Sequence, residues 1–297
     1  MHLSFHKLSS LSSTGFKCRS PAPFTTNLSE NEIKKAIKEV YTAFAENSPS
    51  EHIHEEGDVG CDGIDGCSEC SEGCSCGSAF DPMEAARQIG YSDDELESIP
   101  EESVLGLGCG NPVSIASLKT GEIVLDLGSG AGVDVFLASK NVGITGSVIG
   151  VDNNEAMIKR ANEAAKEYGY INTEFRLGDI ESLPIDDSSV DVIISNCVIN
   201  LSTNKPQVIS EAYRVLKPGG RIMVSDMVTS GMLPEDVRHS IEAWASCIAG
   251  AEEINTYLNL FVKNGFKDVK VLKDIVYTSD YEDINEKIHS ITMEARK

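Results

Sequence analysis

The chain has 297 residues, of which 41% are hydrophobic and 24% are charged. It can therefore bury one large core or two smaller ones, which excludes a disordered or fibrous protein. Its 47 acidic residues outnumber the 25 basic ones and give a formal charge of -22. A surface this negative repels phosphate backbones and anionic lipids, so we expect neither nucleic acid nor a membrane as a partner. No apolar run approaches the roughly 18 residues that a spanning helix needs.

Residues 1–30 are rich in Ser and Thr and contain no acid before Glu30. Organelle-targeting leaders and disordered extensions share this composition. We predict an extension, because the arginine-rich amphipathic pattern of a transit peptide is missing. The nine cysteines, without a clear secretory signal, are typical of free, catalytic or metal-binding thiols in a reducing compartment. We therefore expect a cytoplasmic protein.

Residues 31–100 are predicted to contain helices on either side of an acidic loop. Apolar spacing predicts an amphipathic helix from Asn31 to Phe44 that packs on the main domain. Between Ser50 and Gly77 there is no Lys or Arg, and five cysteines alternate with acids and glycines. Such a stretch cannot bury a core, so its order should depend on a ligand or a disulfide. A second helix is predicted from Asp81 to Tyr91, followed by a capping box at Ser92.

Residues 101–297 are predicted to form the main domain. Short β-branched runs alternate with helical stretches, and the predicted strands are Ile123–Leu125, Val148–Val151, Glu174–Leu177, Val190–Ile194 and Arg221–Val224. This βαβ series predicts an α/β fold with a parallel sheet flanked by helices, one of them from Asn154 to Tyr168. Two later runs, Asp268–Leu272 and Ile288–Ala295, are expected to complete the sheet at its edge.

A glycine-rich loop leaves the first strand in Asp126-Leu-Gly128-Ser-Gly130-Ala-Gly132. Glycines there let the backbone turn tightly and approach a ligand over the N-terminus of the next helix, although a plain tight turn has the same pattern. Dinucleotide sites space their glycines G-x-G-x-x-G, whereas the third glycine here comes one residue earlier. The spacing therefore argues against NAD.

Acids end the next two strands. Asp152 ends Ile149-Gly-Val-Asp152, where a carboxylate can accept both hydroxyls of a ribose. Asp179 follows the third strand, where it is placed to accept a hydrogen bond from an adenine amino group. Each acid alone is more often a helix cap or a turn residue. Together with the glycine loop, they predict a nucleoside-type cofactor.

These motifs, together with Leu216-Lys-Pro-Gly-Gly220, resemble the class I S-adenosylmethionine methyltransferases over residues 121–230. The resemblance implies a Rossmann-like seven-stranded sheet, preceded by an N-terminal helical and loop extension, and S-adenosyl-L-methionine as cofactor. It implies that the methionine end is held by Asp126, Gly128 and Gly130, the ribose by Asp152 and Asn153, and the adenine by Asp179 and Ile180. The other cofactor-binding residues that it implies are Ser129, Gly132, Met157, Gly178 and Asn196.

Three cysteines lie in segments near this cofactor site: Cys109, Cys197 after the fourth strand, and Cys247 on a helix expected to begin near Pro234. Open α/β sheets bind ligands at the carboxyl ends of their strands, so Cys197 should face the cofactor. A single buried cysteine is most often a small apolar core residue. Three that converge favour a thiophilic ion, and pyramidal As(III) takes three sulfurs while keeping its lone pair.

The segments around these cysteines resemble the arsenite S-adenosylmethionine methyltransferases, from about residue 31 to the end. The matching segments are Gly106-Leu-Gly-Cys-Gly-Asn-Pro112, Asn196-Cys-Val-Ile-Asn-Leu201 and Ser246-Cys-Ile-Ala-Gly-Ala251. The family implies that Cys197 and Cys247 hold arsenic and that Cys109 is a third ligand or forms a disulfide. A further N-terminal cysteine exchanges with it. For that role the chain offers Cys67, Cys70, Cys74 and Cys76, of which the last two lie closest to the following helix.

The resemblance implies a detoxifying arsenite methyltransferase. The arsenic lone pair attacks the methyl group of S-adenosylmethionine in line, and glutathione or thioredoxin reduces the oxidised product. The chain ends soon after its last predicted strand, so the longer C-terminal region of some family members should be absent or reduced.

Three other interpretations stay open. The acidic loop has the cysteines for a zinc site, although the long spacer between paired knuckles is missing. A methyltransferase acting on carbon or oxygen of a small metabolite, such as a quinone precursor, shares the fold but gives no reason for three cysteines to converge. A non-catalytic thiol protein would bind As(III) equally well with or without S-adenosylmethionine.

Overall fold

The computed structural model describes residues 3–4, 29–47, 80–278, 284 and 287–297. The acidic loop between Ser50 and Gly77 and its four candidate exchange cysteines lie outside the described residues. So does nearly all of the predicted extension over residues 1–30. Within the described part of the chain, no helix is long and apolar enough to cross a membrane.

The described residues contain nine strands. They are β1 (Leu3–Ser4), β2 (Ile123–Leu127), β3 (Ser147–Asp152), β4 (Thr173–Leu177), β5 (Val190–Asn196), β6 (Leu216–Thr229), β7 (Glu252–Glu253), β8 (Lys267–Thr278) and β9 (Ile288–Arg296). They form one sheet in the order β1-β8-β9-β6-β5-β2-β3-β4, with β7 paired to β6. Strands β2 to β6 pair in parallel, and β9 runs antiparallel between β6 and β8. The seven strands from β4 to β8 confirm the predicted Rossmann-like class I sheet.

The α-helices of the described residues are α1 (Glu30–Asn47), α2 (Pro82–Ile89), α3 (Asp93–Glu97), α4 (Val133–Val142), α5 (Glu155–Glu167), α6 (Lys205–Val215), α7 (Glu235–Arg238), α8 (Ile241–Ala245) and α9 (Ile254–Lys263). Local caps explain where several of them begin. Asp81 accepts hydrogen bonds from two backbone N–H groups of α2, and both halves of the predicted capping box at Ser92 are present. Asn154 caps α5 in the same way.

Three predictions about the strands and helices need correction. The helix expected near Pro234 to carry Cys247 is two short helices, because α7 ends at Arg238 and Ser240 caps a new helix, α8. Cys247 follows α8 and lies outside any helix. The strand predicted at Arg221 begins at Leu216, because the Lys-Pro-Gly-Gly segment joins it through a register shift against β5. In addition, β9 lies inside the sheet and only β8 lies towards its edge.

The central strands are buried on both faces, as expected for a parallel sheet covered by helices. On one face Val124 packs in a core with Phe136 of α4, and on the other Leu125 packs with Ile209 of α6. All four side chains are fully buried. Burial of this kind contributes about 1.5–3 kcal/mol for each large aliphatic or aromatic side chain. The sheet is therefore a rigid base for the loops at its carboxyl edge.

Helix α1 lies against that edge, where it contacts α5 and α8. The Tyr41 hydroxyl donates a hydrogen bond of 3.2 Å to the carbonyl of Ala245. On the other side, the Nδ2 group of Asn154 donates to the Thr42 hydroxyl at 2.9 Å. The predicted packing of this helix on the main domain is therefore present, and α1 covers the carboxyl ends of the strands.

Candidate active site

A cleft opens at the carboxyl ends of β2 to β5, beneath α1. Its volume is about 1290 Å³ including its open mouth. The predicted cofactor residues that line it are Asp126, Gly128, Ser129, Gly130, Asp152, Asn153, Met157, Gly178, Asp179, Ile180 and Asn196. Gly132 does not line it. With φ 98, Gly132 caps α4 and packs against Phe136 and Phe175, so the third glycine closes the turn instead.

The loop between β2 and α4 leaves space beside one glycine. Gly128 has φ 65, and a Cβ there would collide with Val198. Gly130 has φ 52, and a Cβ there would meet no atom within 4 Å. Beside it, the buried Ser129 hydroxyl has no hydrogen-bond partner among the described residues. An open cradle with an unused polar group is what a bound ligand would fill.

The walls of the cleft are acidic. Burial, followed by repulsion from Asp134, raises the pKa of Asp126 well above its usual value. Burial also raises the pKa of Asp134 to about 6, although Tyr91 donates a hydrogen bond of 2.9 Å to its Oδ1. Asp152 accepts hydrogen bonds from the backbone N–H groups of Gly130 at 2.9 Å and Asn154 at 2.8 Å. These carboxylates favour a ligand that carries positive charge.

Three free cysteines lie together beside the cleft, and we call Cys109, Cys197 and Cys247 the thiol cluster. All three are buried, and the Cys247 Sγ donates a hydrogen bond of 2.8 Å to the backbone carbonyl of Cys197. The Cys197 thiol also interacts with both other thiols. Of the three, only Cys197 also lines the cleft. Cys197 is therefore the point at which the cluster and the cleft meet.

The backbone around the thiol cluster is strained. Cys197 and Cys247 both have φ 60, in the left-handed region that non-glycine residues seldom adopt. Such outliers persist only where the surrounding structure holds them, and they are concentrated at functional sites. The neighbouring Gly250 supplies part of this support, since a Cβ there would collide with the carbonyl of Asn200.

Asn196 connects the thiol cluster to the cleft. Its Oδ1 accepts a hydrogen bond of 3.0 Å from the backbone N–H of Cys109. Its Nδ2 donates to the carbonyl of Gly110 at 2.8 Å and to Asp134 Oδ2 at 3.2 Å. Gly108 allows this contact, because a Cβ on it would lie 2.9 Å from the Asn196 amide. The glycines around Cys109 thus hold that cysteine against β5.

The thiols are protonated at neutral pH. Burial raises the pKa of Cys109 to about 11. Hydrogen bonding with neighbouring thiols, together with burial, raises the pKa of both Cys197 and Cys247 well above the usual value. A thiophilic ion would therefore have to displace protons as it binds.

The sequence reasoning missed four polar side chains at this site. Asp134 and Asp226 had a usable signal, because each is a lone acid inside an apolar run, on α4 and β6 respectively. Buried charges are rare unless they are paired or functional. Tyr41 and Tyr91 had no comparable signal, since a tyrosine in an amphipathic helix or at a helix end is ordinary.

Comparison with known proteins places these features in a family. Residues 118–265 match a family model described as a methyltransferase domain. A solved structure of an arsenic (III) S-adenosylmethionine methyltransferase from Chlamydomonas reinhardtii is 37% identical, with a TM-score of 0.59. The match covers 72% of this chain and 73% of that one. The chain belongs to the arsenite methyltransferase family.

Curated relatives extend this match and also show its limits. An arsenite methyltransferase from Halobacterium salinarum is 42% identical over 249 residues, which are 81% of this chain and 61% of the relative. The human arsenite methyltransferase is 39% identical over 168 residues, which are 53% of this chain and 44% of the relative. The chain therefore spans less than two thirds of the length of these curated relatives. The resemblance inferred from the cysteine segments is confirmed at the level of the family.

Proposed function

We propose that this chain transfers methyl groups from S-adenosylmethionine to trivalent arsenic bound by Cys109, Cys197 and Cys247. The observation that carries the proposal is the convergence of three buried thiols from distant parts of the sequence beside the cleft, which Cys197 lines. A metabolite methyltransferase has no need of this arrangement. A non-catalytic thiol protein has no need of the cleft beside it.

The cleft has the groups that S-adenosylmethionine requires. The cofactor supplies an electrophilic methyl group on a positively charged sulfonium. The acidic wall formed by Asp126, Asp134 and Asp152 suits that charge. The open cradle at Gly130 and the unpartnered Ser129 hydroxyl suit close approach of a polar ligand. Asp152 and Asp179, at the ends of neighbouring strands, are our proposed partners for the ribose and the adenine.

The thiol cluster has the groups that As(III) requires. Three thiolates neutralise the ion, and their protons leave as the arsenic–sulfur bonds form. The bound arsenic keeps a lone pair, so no general base is needed to make it a nucleophile. The protein's contribution is to hold two reactants in one orientation, which can supply about 7–11 kcal/mol. Tyr41, on the helix that covers the cleft, contacts the Cys247 thiol and would help to exclude water.

The proposal includes a thiol reductant. When the lone pair of As(III) forms a bond to the methyl group, the arsenic becomes formally pentavalent. Two electrons must return it to the trivalent state, and two thiols supply them by forming a disulfide. Glutathione and thioredoxin are the candidate reductants. Cys74 and Cys76, our candidates for thiol exchange with Cys109, lie outside the described residues.

Incubation of the chain with arsenite, S-adenosylmethionine and thiol tests the function. Separation of the products by arsenic speciation should reveal mono- and dimethylated arsenic. Absence of methylated arsenic would contradict the proposal. Ser substitution at each thiol of the cluster should abolish the first methylation, whereas a quinone-type methyltransferase would tolerate it. A thiol buffer would bind arsenite equally well without the cofactor and release no product.

A further inference from the structure

Behind the thiol cluster lies a carboxylate that arsenic chemistry does not require. Asp226, on β6, is completely buried. One of its oxygens and the Sγ atoms of Cys109 and Cys197 all lie within 4.8 Å of one another. Cys247 is not a member of this group. The site therefore combines two sulfurs and one oxygen, in addition to the three sulfurs of the thiol cluster.

Other side chains hold the Asp226 carboxylate in place. The Tyr257 hydroxyl donates a hydrogen bond of 2.8 Å to Oδ2. The Asn200 Nδ2 group donates to Oδ1 at 2.8 Å, and the backbone N–H of Met227 donates to the same oxygen at 3.0 Å. Carboxylates that ligate metals are usually oriented by hydrogen bonds of this kind. Since Oδ2 accepts only one of these bonds, it keeps acceptor capacity for a ligand.

We propose that Cys109, Cys197 and Asp226 bind a thiophilic divalent cation, Zn²⁺ or Cd²⁺, with a fourth position left for water. In a tetrahedral zinc site with ordinary bond lengths, the donor atoms would lie about 3.5–3.8 Å apart. The observed limit of 4.8 Å leaves only a small inward movement of the three side chains. Cys197 lines the cleft, so an ion has a route to the site.

The two ions differ in the ligand charge that neutralises them. As(III) is neutralised by three thiolates and prefers sulfur to oxygen. A divalent cation is neutralised by two thiolates, and the mixed sulfur and oxygen set is common for zinc. Binding releases the two thiol protons to solvent as the metal–sulfur bonds form. Lys205, which is buried and lies close enough to act on Asp226 electrostatically, offsets the remaining negative charge.

The two ions would compete, because both need Cys109 and Cys197. They differ in the remaining ligand, which is Cys247 for arsenic and Asp226 for the divalent cation. A divalent cation would therefore exclude arsenite from the thiol cluster and inhibit its binding. The proposal of a divalent site is based on the positions of Cys109, Cys197 and Asp226 and does not depend on methyl transfer.

The test is a cadmium titration of the reduced, full-length chain in which the six cysteines that precede Cys109 are replaced by Ser. The sulfur-to-cadmium charge-transfer absorbance reports binding, and a competing chelator sets the affinity. We expect one Cd²⁺ per chain. Asp226→Asn should weaken cadmium binding by more than about 10–100-fold, because removing only a hydrogen-bond partner of a metal ligand already costs that much. Cys247→Ser should leave cadmium affinity unchanged. Arsenite binding should show the opposite pattern, with loss in Cys247→Ser and retention in Asp226→Asn.

Three results would overturn the divalent site. They are no cadmium binding by the parent chain, equal binding by Asp226→Asn, and equal weakening in Cys247→Ser and Asp226→Asn. Circular dichroism on heating checks that each variant folds. If Asp226→Asn does not fold, Tyr257→Phe replaces it and should weaken cadmium by about 10–100-fold. Failure of arsenite binding alone would leave the cadmium pattern intact, so the two proposals fail separately.

Discussion

The cleft and the thiol cluster share a wall at Asn196 and Cys197, yet they differ in charge and in construction. The cleft is lined by acidic side chains whose pKa values are raised by burial, and a ligand that carries positive charge would favour their ionised forms. The thiol cluster is buried and neutral, and it becomes charged only when an ion displaces its protons. The cleft comes from loops after neighbouring strands, whereas the cluster joins three distant segments. Under the proposed function, two reactants of opposite requirements would therefore bind side by side without sharing ligands.

The largest expected effect comes from a substitution in the thiol cluster. Cys247→Ser should reduce arsenite methylation more than about 100-fold, because losing a ligand costs more than losing an outer partner. S-adenosylmethionine affinity should not change, since Cys247 does not line the cleft. Product analysis and calorimetry measure the two quantities. Cys18→Ser is the matched control, and a comparable loss in that variant would show that any lost thiol has the effect.

The second effect concerns the proton on Cys109. Its pKa is about 11 in the folded chain against 9.0 for a free thiol. The folded state therefore holds the proton more tightly, so stability present below pH 9 is lost as the pH rises through 11. Two pKa units correspond to about 3 kcal/mol. Urea unfolding across this pH range should show the parent chain losing that much relative to Cys109→Ala. If the free energy of unfolding depends on pH in the same way in both chains, the raised pKa of Cys109 is refuted.

The third effect is confined to the cleft. Gly130→Ala places a methyl group in the open cradle and should lower S-adenosylmethionine affinity by about 10–100-fold, while arsenite binding is retained. Gly169→Ala is the matched control, because Gly169 also has positive φ and an open surrounding but lies after α5, away from the cleft. Each variant carries about 1–2 kcal/mol of backbone strain. If both variants lower cofactor affinity equally, strain and not the cradle is responsible.

The smallest effect tests the helix that covers both regions. Tyr41→Phe removes the hydrogen bond to Ala245 and should lower the free energy of unfolding by about 0.5–1.5 kcal/mol. Because Tyr41 also contacts the Cys247 thiol, arsenite affinity should fall more than cofactor affinity. Thermal unfolding and the two binding titrations measure this. Equal loss of both ligands would indicate that α1 acts only as a general cover.

The contrast between the regions also explains what the sequence could predict. The strands, the caps and the acids at strand ends follow short-range patterns, and they were found at or near the expected positions. The break between α7 and α8 was missed because Ser240 begins a new helix only two residues after Arg238. Asp226 stands out as a lone acid in an apolar strand, but its role was missed because that role depends on Cys109 and Cys197, which approach it only in the folded chain. A local pattern can mark such a residue, but it does not show which distant residues the fold will bring to it.

Arsenic X-ray absorption shows directly whether the thiol cluster binds arsenic through three sulfurs. The sample is the reduced full-length chain, with Ser at the six cysteines before Cys109 and one equivalent of arsenite. We expect three sulfur neighbours in this chain, and two sulfurs with one oxygen after Ser substitution of Cys109, Cys197 or Cys247. Three sulfur neighbours that persist in any of these variants, or fewer than three in the parent chain, would contradict this expectation.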